Sequence, residues 1–136
     1  MSGDTPRLLH RMPIAVRWRD LDAYQHVNNS VYLTYLEEAR LQWFDALPGP
    51  WMDDMSAPVL AASQLNYRRS IAWPADIVVE LFAERVGNSS LTLGHRIVAA
   101  DDASMLYCDG NIVAVWIERA SGRPTVLPDA VRAACA

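Results

Sequence analysis

A single stretch of helical periodicity, at residues 30–47, is followed only by stretches that alternate like strands. Within it apolar side chains recur every three to four residues, as on one face of a helix: Val31, Tyr35, Leu36, Ala39, Trp43 and Leu47. Asn28, Asn29 or Ser30 can each cap its start, and the run Pro48-Gly49-Pro50 ends it. Since no second helix is indicated, this helix must bury its apolar face against a sheet.

The strand segments flank this helix on both sides. Residues 8–19 alternate, with His10, Met12, Ile14, Val16 and Trp18 on one face, and Pro13 indicates an edge position or a bulge. Four further strands are predicted at 59–70, 76–86, about 91–99 and 104–119, joined by three consecutive hairpin-type connections. Gly110 inside the last strand suggests a bulge. The prediction is an α+β domain, one helix on a five-stranded antiparallel sheet.

Composition excludes several classes of protein. Twelve basic and sixteen acidic residues among 136 give a net charge of −4, so no electrostatic footprint for nucleic acid is present. The longest apolar run, residues 112–117, is too short to span a bilayer, and residues 1–20 lack the apolar segment of a signal peptide. Cys108 and Cys135 form no disulfide framework, which favours a reducing compartment. Together with the lack of a spanning or signal segment, this predicts a soluble, cytoplasmic protein without a membrane partner. The three histidines are too widely spaced to indicate a metal site.

The segment at residues 17–29, just before the predicted helix, carries the strongest functional signal. It places a carboxylate, an imidazole and two side-chain amides beside a helix N-terminus. Exposed N–H groups and the positive end of the helix dipole can stabilise developing negative charge there. Ester or thioester cleavage needs a basic group beside hydrogen-bond donors that stabilise an oxyanion, and this segment can supply both.

The same residues resemble the signature of hotdog-fold acyl-CoA thioesterases. The resemblance is to the 4-hydroxybenzoyl-CoA thioesterase-like group, especially members that act on long fatty acyl-CoAs. The signature lies at residues 20–40, is most specific in Asp22-Ala23-Tyr24-Gln25-His26-Val27-Asn28-Asn29, and is supported by Asn66-Tyr67-Arg68-Arg69. With the order of the strands, the resemblance covers essentially the whole chain. It implies one hotdog domain over residues 1–136, with the sheet wrapped around the long helix. It also implies homodimers or homotetramers, sheets joined edge to edge, and active sites at the subunit interface.

Carried over by position, the resemblance assigns Asp22 as the catalytic carboxylate and the backbone N–H of Asn29 as the oxyanion donor. The N–H of Asn28 is a second candidate donor, and His26 either contacts the substrate or satisfies loop polar groups. Asp22 would act as a general base on water or as a nucleophile that forms a mixed anhydride, and the sequence leaves both routes open. No cofactor is implied, because coenzyme A is part of the substrate.

The remaining candidates are substrate-binding residues. Tyr24, Gln25 and Asn28 could line the acyl site, although loop and helix-cap roles explain them equally well. The predicted phosphate-binding residues for coenzyme A are Arg68, Arg69, Arg85, Ser89 and Ser90. Glu37 lies roughly 10 Å along the helix from its start, too far to share a reacting atom with Asp22 in one subunit.

Two other functions stay open at this point. One is a hotdog hydratase or dehydratase, which the motif centred on Asp22 disfavours. The other is a non-catalytic acyl-CoA-binding protein, since a fold never guarantees activity. A binder would not need an acid at residue 22, so hydrolysis of an acyl-CoA is the preferred hypothesis.

Overall fold

The computed structural model describes residues 6–136. Five strands and two α-helices make up this part of the chain. In chain order they are β1 (Arg7–Ala15), α1 (Asn29–Asp45), β2 (Ser56–Tyr67), β3 (Asp76–Val86), β4 (Ser90–Ala99), β5 (Asp102–Glu118) and α2 (Asp129–Ala134). The six-residue α2 was not predicted. Among these residues no helix has the length and apolar character needed to cross a bilayer.

The strands form one antiparallel sheet in the order β1-β3-β4-β5-β2. The predicted five-stranded antiparallel sheet is therefore confirmed, and so is the edge position of β1 indicated by Pro13. The prediction of three consecutive hairpins is wrong, because β2 pairs with β5 at the far edge instead of with β3. Strands β1 and β2 thus form the two edges of the sheet.

Helix α1 packs its apolar face on the sheet and spans about 25 Å. Four of the residues predicted for this face are buried, namely Tyr35, Leu36, Ala39 and Trp43. Tyr32 and Phe44 are buried as well, whereas the predicted Val31 and Leu47 are only partly buried. The buried side chains meet the alternate, fully buried residues of the sheet, among them Val79, Leu91, Leu93 and Ile97. Burying each such aliphatic side chain contributes about 2 kcal/mol, so this contact holds the helix in place.

The first predicted strand is too long. Strand β1 ends at Ala15, and Trp18–Asp20 forms a single turn of 3-10 helix. Trp18 therefore leaves the alternating face and is 69% exposed, whereas Met12 and Val16 are buried.

Gly110 does not mark a bulge, contrary to the prediction. It stays in register with Leu65 and His95 on the neighbouring strands. Its φ of 147° and its close approach to the carbonyl group of Gln64 explain the glycine. A side chain at this position would overlap the Gln64 carbonyl oxygen. The glycine allows β2 to come close to β5.

His95 is the buried histidine of the core. Only 3% of its surface is exposed, and its Nε2 has no hydrogen-bond partner among the described residues. Burial lowers its pKa from 6.5 to about 4, against the opposing effect of nearby Asp109. The imidazole is therefore neutral in the folded protein near neutral pH.

Replacing His95 with leucine is expected to flatten the acid dependence of stability. As the pH falls from 6.5 towards 4, the unfolded chain binds a proton that the folded chain does not, so wild-type stability decreases. The wild type should lose about 3 kcal/mol of unfolding free energy in this window that the variant retains. Urea unfolding near pH 7 and near pH 4 measures the decrease in unfolding free energy for the wild type and for the variant. Equal decreases in the two proteins would contradict the burial of a neutral imidazole.

Candidate active site

The loop between β1 and α1 is anchored by the buried carboxylate of Asp20. This carboxylate accepts hydrogen bonds from the Tyr35 hydroxyl at 2.6 Å and from the Arg17 backbone N–H at 3.0 Å. Burial alone would raise the pKa of Asp20, but the hydrogen bonds from Tyr35 and Arg17 hold this pKa below its usual value. Asp20 thus fixes the loop to the middle of α1.

Backbone hydrogen bonds close the rest of the loop. Leu21 and Val27 form an isolated antiparallel bridge, and the Val27 N–H donates to the Ile71 carbonyl at 2.9 Å. Gln25 takes a left-handed conformation with φ of 65° at the tip. The loop is therefore a small closed turn that leads directly into α1.

The carboxylate of Asp22 lies inside this turn and is partly buried. One oxygen accepts the backbone N–H of Tyr24 at 2.9 Å, and the other accepts the side-chain amide of Asn28 at 3.0 Å. Both oxygens are thereby oriented by groups that belong to the loop itself. Asp22 is held in a defined position at the N-terminal end of α1.

The N–H groups at the start of α1 differ in their availability. The N–H of Asn28 donates to the Asp20 carbonyl at 3.0 Å, and the N–H of Ser30 donates to the Asn28 side chain at 2.9 Å. Asn29 is the first helical residue, so its N–H has no acceptor within the helix. Among residues 6–136 it has no other acceptor either. Of the two predicted donors, only the N–H of Asn29 is free.

A cavity of about 450 Å³ opens in front of these groups. It brings together seven of the predicted site residues: Asp22, Tyr24, His26, Asn28, Asn29, Arg68 and Arg69. The carboxylate of Asp22 and the start of α1 therefore face one space. This arrangement can activate water or attack a carbonyl while a backbone N–H stabilises the oxyanion.

Four predicted residues lie elsewhere in the single chain. Gln25 is exposed at the tip of the loop and does not line the cavity. Arg85, Ser89 and Ser90 lie at the hairpin between β3 and β4, and they do not line it either. One chain therefore does not place the hairpin residues beside Asp22.

The two neighbouring arginines differ in their partners. Arg68 forms an ion pair through Nε with Asp109 at 3.1 Å. Arg69 is exposed and has no ion pair among the described residues. Arg69 is thus the more available cation at the cavity.

Sequence reasoning missed much of the far wall of the cavity. Tyr32 from α1 and Tyr67 from β2 meet edge to face, with ring centroids 5.0 Å apart. The Tyr67 hydroxyl also donates to the Asn29 carbonyl at 3.3 Å, and Ser70 follows on the same side. The motif at residues 66–69 was a signal for this wall, but not for its place opposite Asp22.

His26 lines the cavity with an exposed side chain. Its backbone carbonyl accepts the Asp22 N–H at 3.1 Å, whereas its imidazole has no hydrogen-bond partner among the described residues. The imidazole is therefore available to a ligand. Within the same part of the chain, no three histidine, cysteine or acidic residues cluster so as to hold a metal ion.

Comparison with known proteins places the chain in a family. The model of the thioesterase-like superfamily matches residues 16–135. A candidate acyl-CoA thioesterase from Xanthomonas campestris is 51% identical with a TM-score of 0.80, over 88% of this chain and 99% of that one. The PA2801 protein of Pseudomonas aeruginosa, a candidate thioesterase, is 44% identical with a TM-score of 0.89, over 96% and 100%. The long-chain acyl-CoA thioesterase FadM of Escherichia coli is 29% identical over 124 residues, which are 88% of this chain and 91% of FadM.

Proposed function

The chain belongs to the thioesterase-like superfamily and is an acyl-CoA thioesterase, and we propose that Asp22 and the N–H of Asn29 carry out its chemistry. The observation that carries this assignment is their position at one cavity. Asp22 is oriented by two hydrogen bonds, and the N–H of Asn29 has no acceptor among the described residues. The reaction yields a free acid and coenzyme A.

Two routes fit this geometry. As a general base, Asp22 takes a proton from water while the water oxygen bonds to the thioester carbon. The N–H of Asn29 stabilises the oxyanion, whose collapse breaks the carbon–sulfur bond and releases the thiolate. The proton held by Asp22 then passes to the thiolate or to solvent, which restores the carboxylate. As a nucleophile, Asp22 itself bonds to the carbon and expels the thiolate, and water then hydrolyses the mixed anhydride. Because a thiolate leaves readily, neither route needs a strong acid.

We infer that the five strands and α1 form a single hotdog domain over residues 1–136, with the sheet wrapped around α1. The contact of the helix face with alternate residues of the central strands supports this inference. In that arrangement the helix start lies at one end of the domain, where a substrate can enter.

The acyl group is proposed to be a fatty chain, and the likeness to FadM supports this. No cofactor or metal takes part in the proposed reaction, since coenzyme A arrives with the substrate. Neither a nucleic acid nor a membrane is a proposed partner. A cytoplasmic location agrees with two free cysteines, Cys108 and Cys135.

We propose a homodimer or homotetramer whose sheets join through β2. This strand is twelve residues long and forms an edge of the sheet. It exposes apolar side chains, including Val59 and Leu60, the latter 50% exposed. A long, apolar, exposed edge is a template for pairing with a second copy. Tyr67 ends β2 beside the cavity, so such pairing would bring the partner close to the active site.

Release of free thiol from a panel of acyl-CoAs tests the function. The panel covers short, medium and long fatty chains and one aromatic acyl group. We expect turnover on the fatty acyl-CoAs, with the highest kcat/KM for one range of chain lengths. If no acyl-CoA released thiol while acyl-CoA still bound, the chain would be a binding protein and the catalytic proposal would be wrong.

Replacing Arg69 with glutamine is expected to weaken the binding of coenzyme A. An exposed arginine–phosphate contact contributes about 1 kcal/mol, so KM should rise roughly 5-fold with little change in kcat. The same acyl group on N-acetylcysteamine lacks the phosphates, and its KM should not change. Arg123→Gln removes an exposed arginine outside the cavity and is the matched control. An equal rise in KM for both thioesters would contradict a phosphate contact.

A further inference from the structure

The side chain of Asn28 makes two kinds of contact at once. Its Oδ1 accepts the backbone N–H of Ser30 at 2.9 Å and the Ser30 hydroxyl at 2.6 Å, which caps α1. Its Nδ2 donates to the carboxylate of Asp22 at 3.0 Å. One amide group therefore joins the helix start to the carboxylate.

The orientation of this amide is dictated by its partners. The N–H of Ser30 can only donate, so the atom that faces it must be the carbonyl oxygen. The ionised carboxylate of Asp22 can only accept, so the atom that faces it must be the NH₂ group. Both requirements are met in one orientation and in no other. A serine or an aspartate would satisfy the first requirement but could not donate to Asp22 in this way.

We propose that Asn28 is a positioning residue for hydrolysis, which sets the carboxylate of Asp22 against the oxyanion donor. This inference rests on the proposed roles of Asp22 and Asn29. Asn28 immediately precedes Asn29, so its cap fixes the direction of the free N–H, and its amide fixes the base. The two reacting groups are thus placed relative to each other through one side chain.

Catalysis depends strongly on such placement. Displacing a reacting group by about 1 Å can cost about 100-fold in rate, because the productive geometry is narrow. The carboxylate of Asp22 has one other hydrogen bond, from the Tyr24 N–H, and a single bond leaves the group free to rotate. Loss of the Asn28 donor should therefore lower kcat even when the helix cap is intact.

Two variants separate the donor from the cap. Asn28→Ser keeps a good helix cap and removes the donor to Asp22. Asn28→Asp also keeps the cap, and in addition it places a second carboxylate against Asp22. Gln42→Glu is the charge-matched control, since it adds a charge to the exposed face of α1 and keeps an oxygen for its contact with His10.

The expected results differ between the variants. For Asn28→Ser, kcat should fall roughly 10-fold and the pH profile should not change. This loss is smaller than the roughly 100-fold loss expected for a fully displaced carboxylate, because the Tyr24 N–H still holds Asp22. For Asn28→Asp, kcat should fall further, and the acidic limb of the pH profile should move up by roughly one pH unit, because two carboxylates in contact retain a proton more strongly. Both variants should melt close to the wild type, and Gln42→Glu should match the wild type in rate and pH profile.

The outcomes distinguish this inference from the proposed function. If both Asn28 variants kept the kcat and pH profile of the wild type while Asp22→Asn was inactive, the positioning role would be wrong. The proposed function would then stay intact. A second outcome would also overturn the positioning role: kcat falls only in proportion to a lowered melting temperature, and the acidic limb does not move in Asn28→Asp. Asn28 would then act only as a helix cap. An active Asp22→Asn would overturn both.

Discussion

Asp22→Asn is expected to lower kcat by at least about 100-fold, the lower end of the effect of an acid–base group. The amide keeps an oxygen for the Tyr24 N–H, and its NH₂ group replaces the oxygen that accepted from Asn28, so one of the two hydrogen bonds that orient residue 22 is kept and the other is lost. The amide can neither take a proton from water nor form an anhydride, so both routes are blocked. Steady-state release of thiol from the preferred acyl-CoA measures the loss.

The matched control is Asp54→Asn. Asp54 is exposed and makes no side-chain hydrogen bond among the described residues, so its replacement removes the same charge without touching the cavity. It should leave kcat unchanged. Thermal melting of both variants should stay close to that of the wild type, which would assign the loss in Asp22→Asn to chemistry. A similar fall in kcat for both variants would argue against a special role of Asp22.

Gly110→Ala is expected to destabilise the fold by about 3 kcal/mol or more, because it combines backbone strain with a steric overlap. The φ of 147° is unfavourable for any residue with a side chain. The new methyl group would overlap the Gln64 carbonyl oxygen, and it would lie 3.0 Å from Nε2 of His95. Denaturant unfolding of the wild type and the variant measures the change in free energy.

Gly122→Ala separates backbone strain from overlap. Gly122 also has a positive φ, of 73°, but no atom lies within 4 Å of a methyl group added there. Its replacement should cost only about 1 kcal/mol, the usual cost of a left-handed conformation. If Gly110→Ala cost no more than Gly122→Ala, the close approach of β2 and β5 would not be the reason for the glycine.

Most of the secondary structure could be predicted because periodicity reports which residues share a face. Helix α1 and strand β3 were predicted within two residues at each end. The neighbours of β2 could not be predicted in this way. An alternating pattern shows that a strand has a buried face, but the strand with which it pairs depends on contacts distant in the chain. The 3-10 turn at Trp18–Asp20 was hidden because its residues continue the alternation.

The residues at the cavity also divide into those that the sequence predicts and those that it does not. That Asp22, His26 and Asn29 share one cavity could be predicted, because they lie within one short motif that leads into α1. The wall formed by Tyr32 and Tyr67 could not, since it depends on how β2 packs beside the start of α1. Which backbone N–H is free depends on the Asp20 carbonyl, and only the folded loop shows that contact.

The catalytic role of Asp22 is tested most directly by a single-turnover measurement with enzyme in excess over one fatty acyl-CoA, for the wild type and Asp22→Asn. Binding of the same acyl-CoA to each protein is measured in parallel. We expect Asp22→Asn to bind the acyl-CoA about as tightly as the wild type but to release thiol at least about 100-fold more slowly. Release by the variant at a rate near that of the wild type would show that the carboxylate does not perform the chemistry.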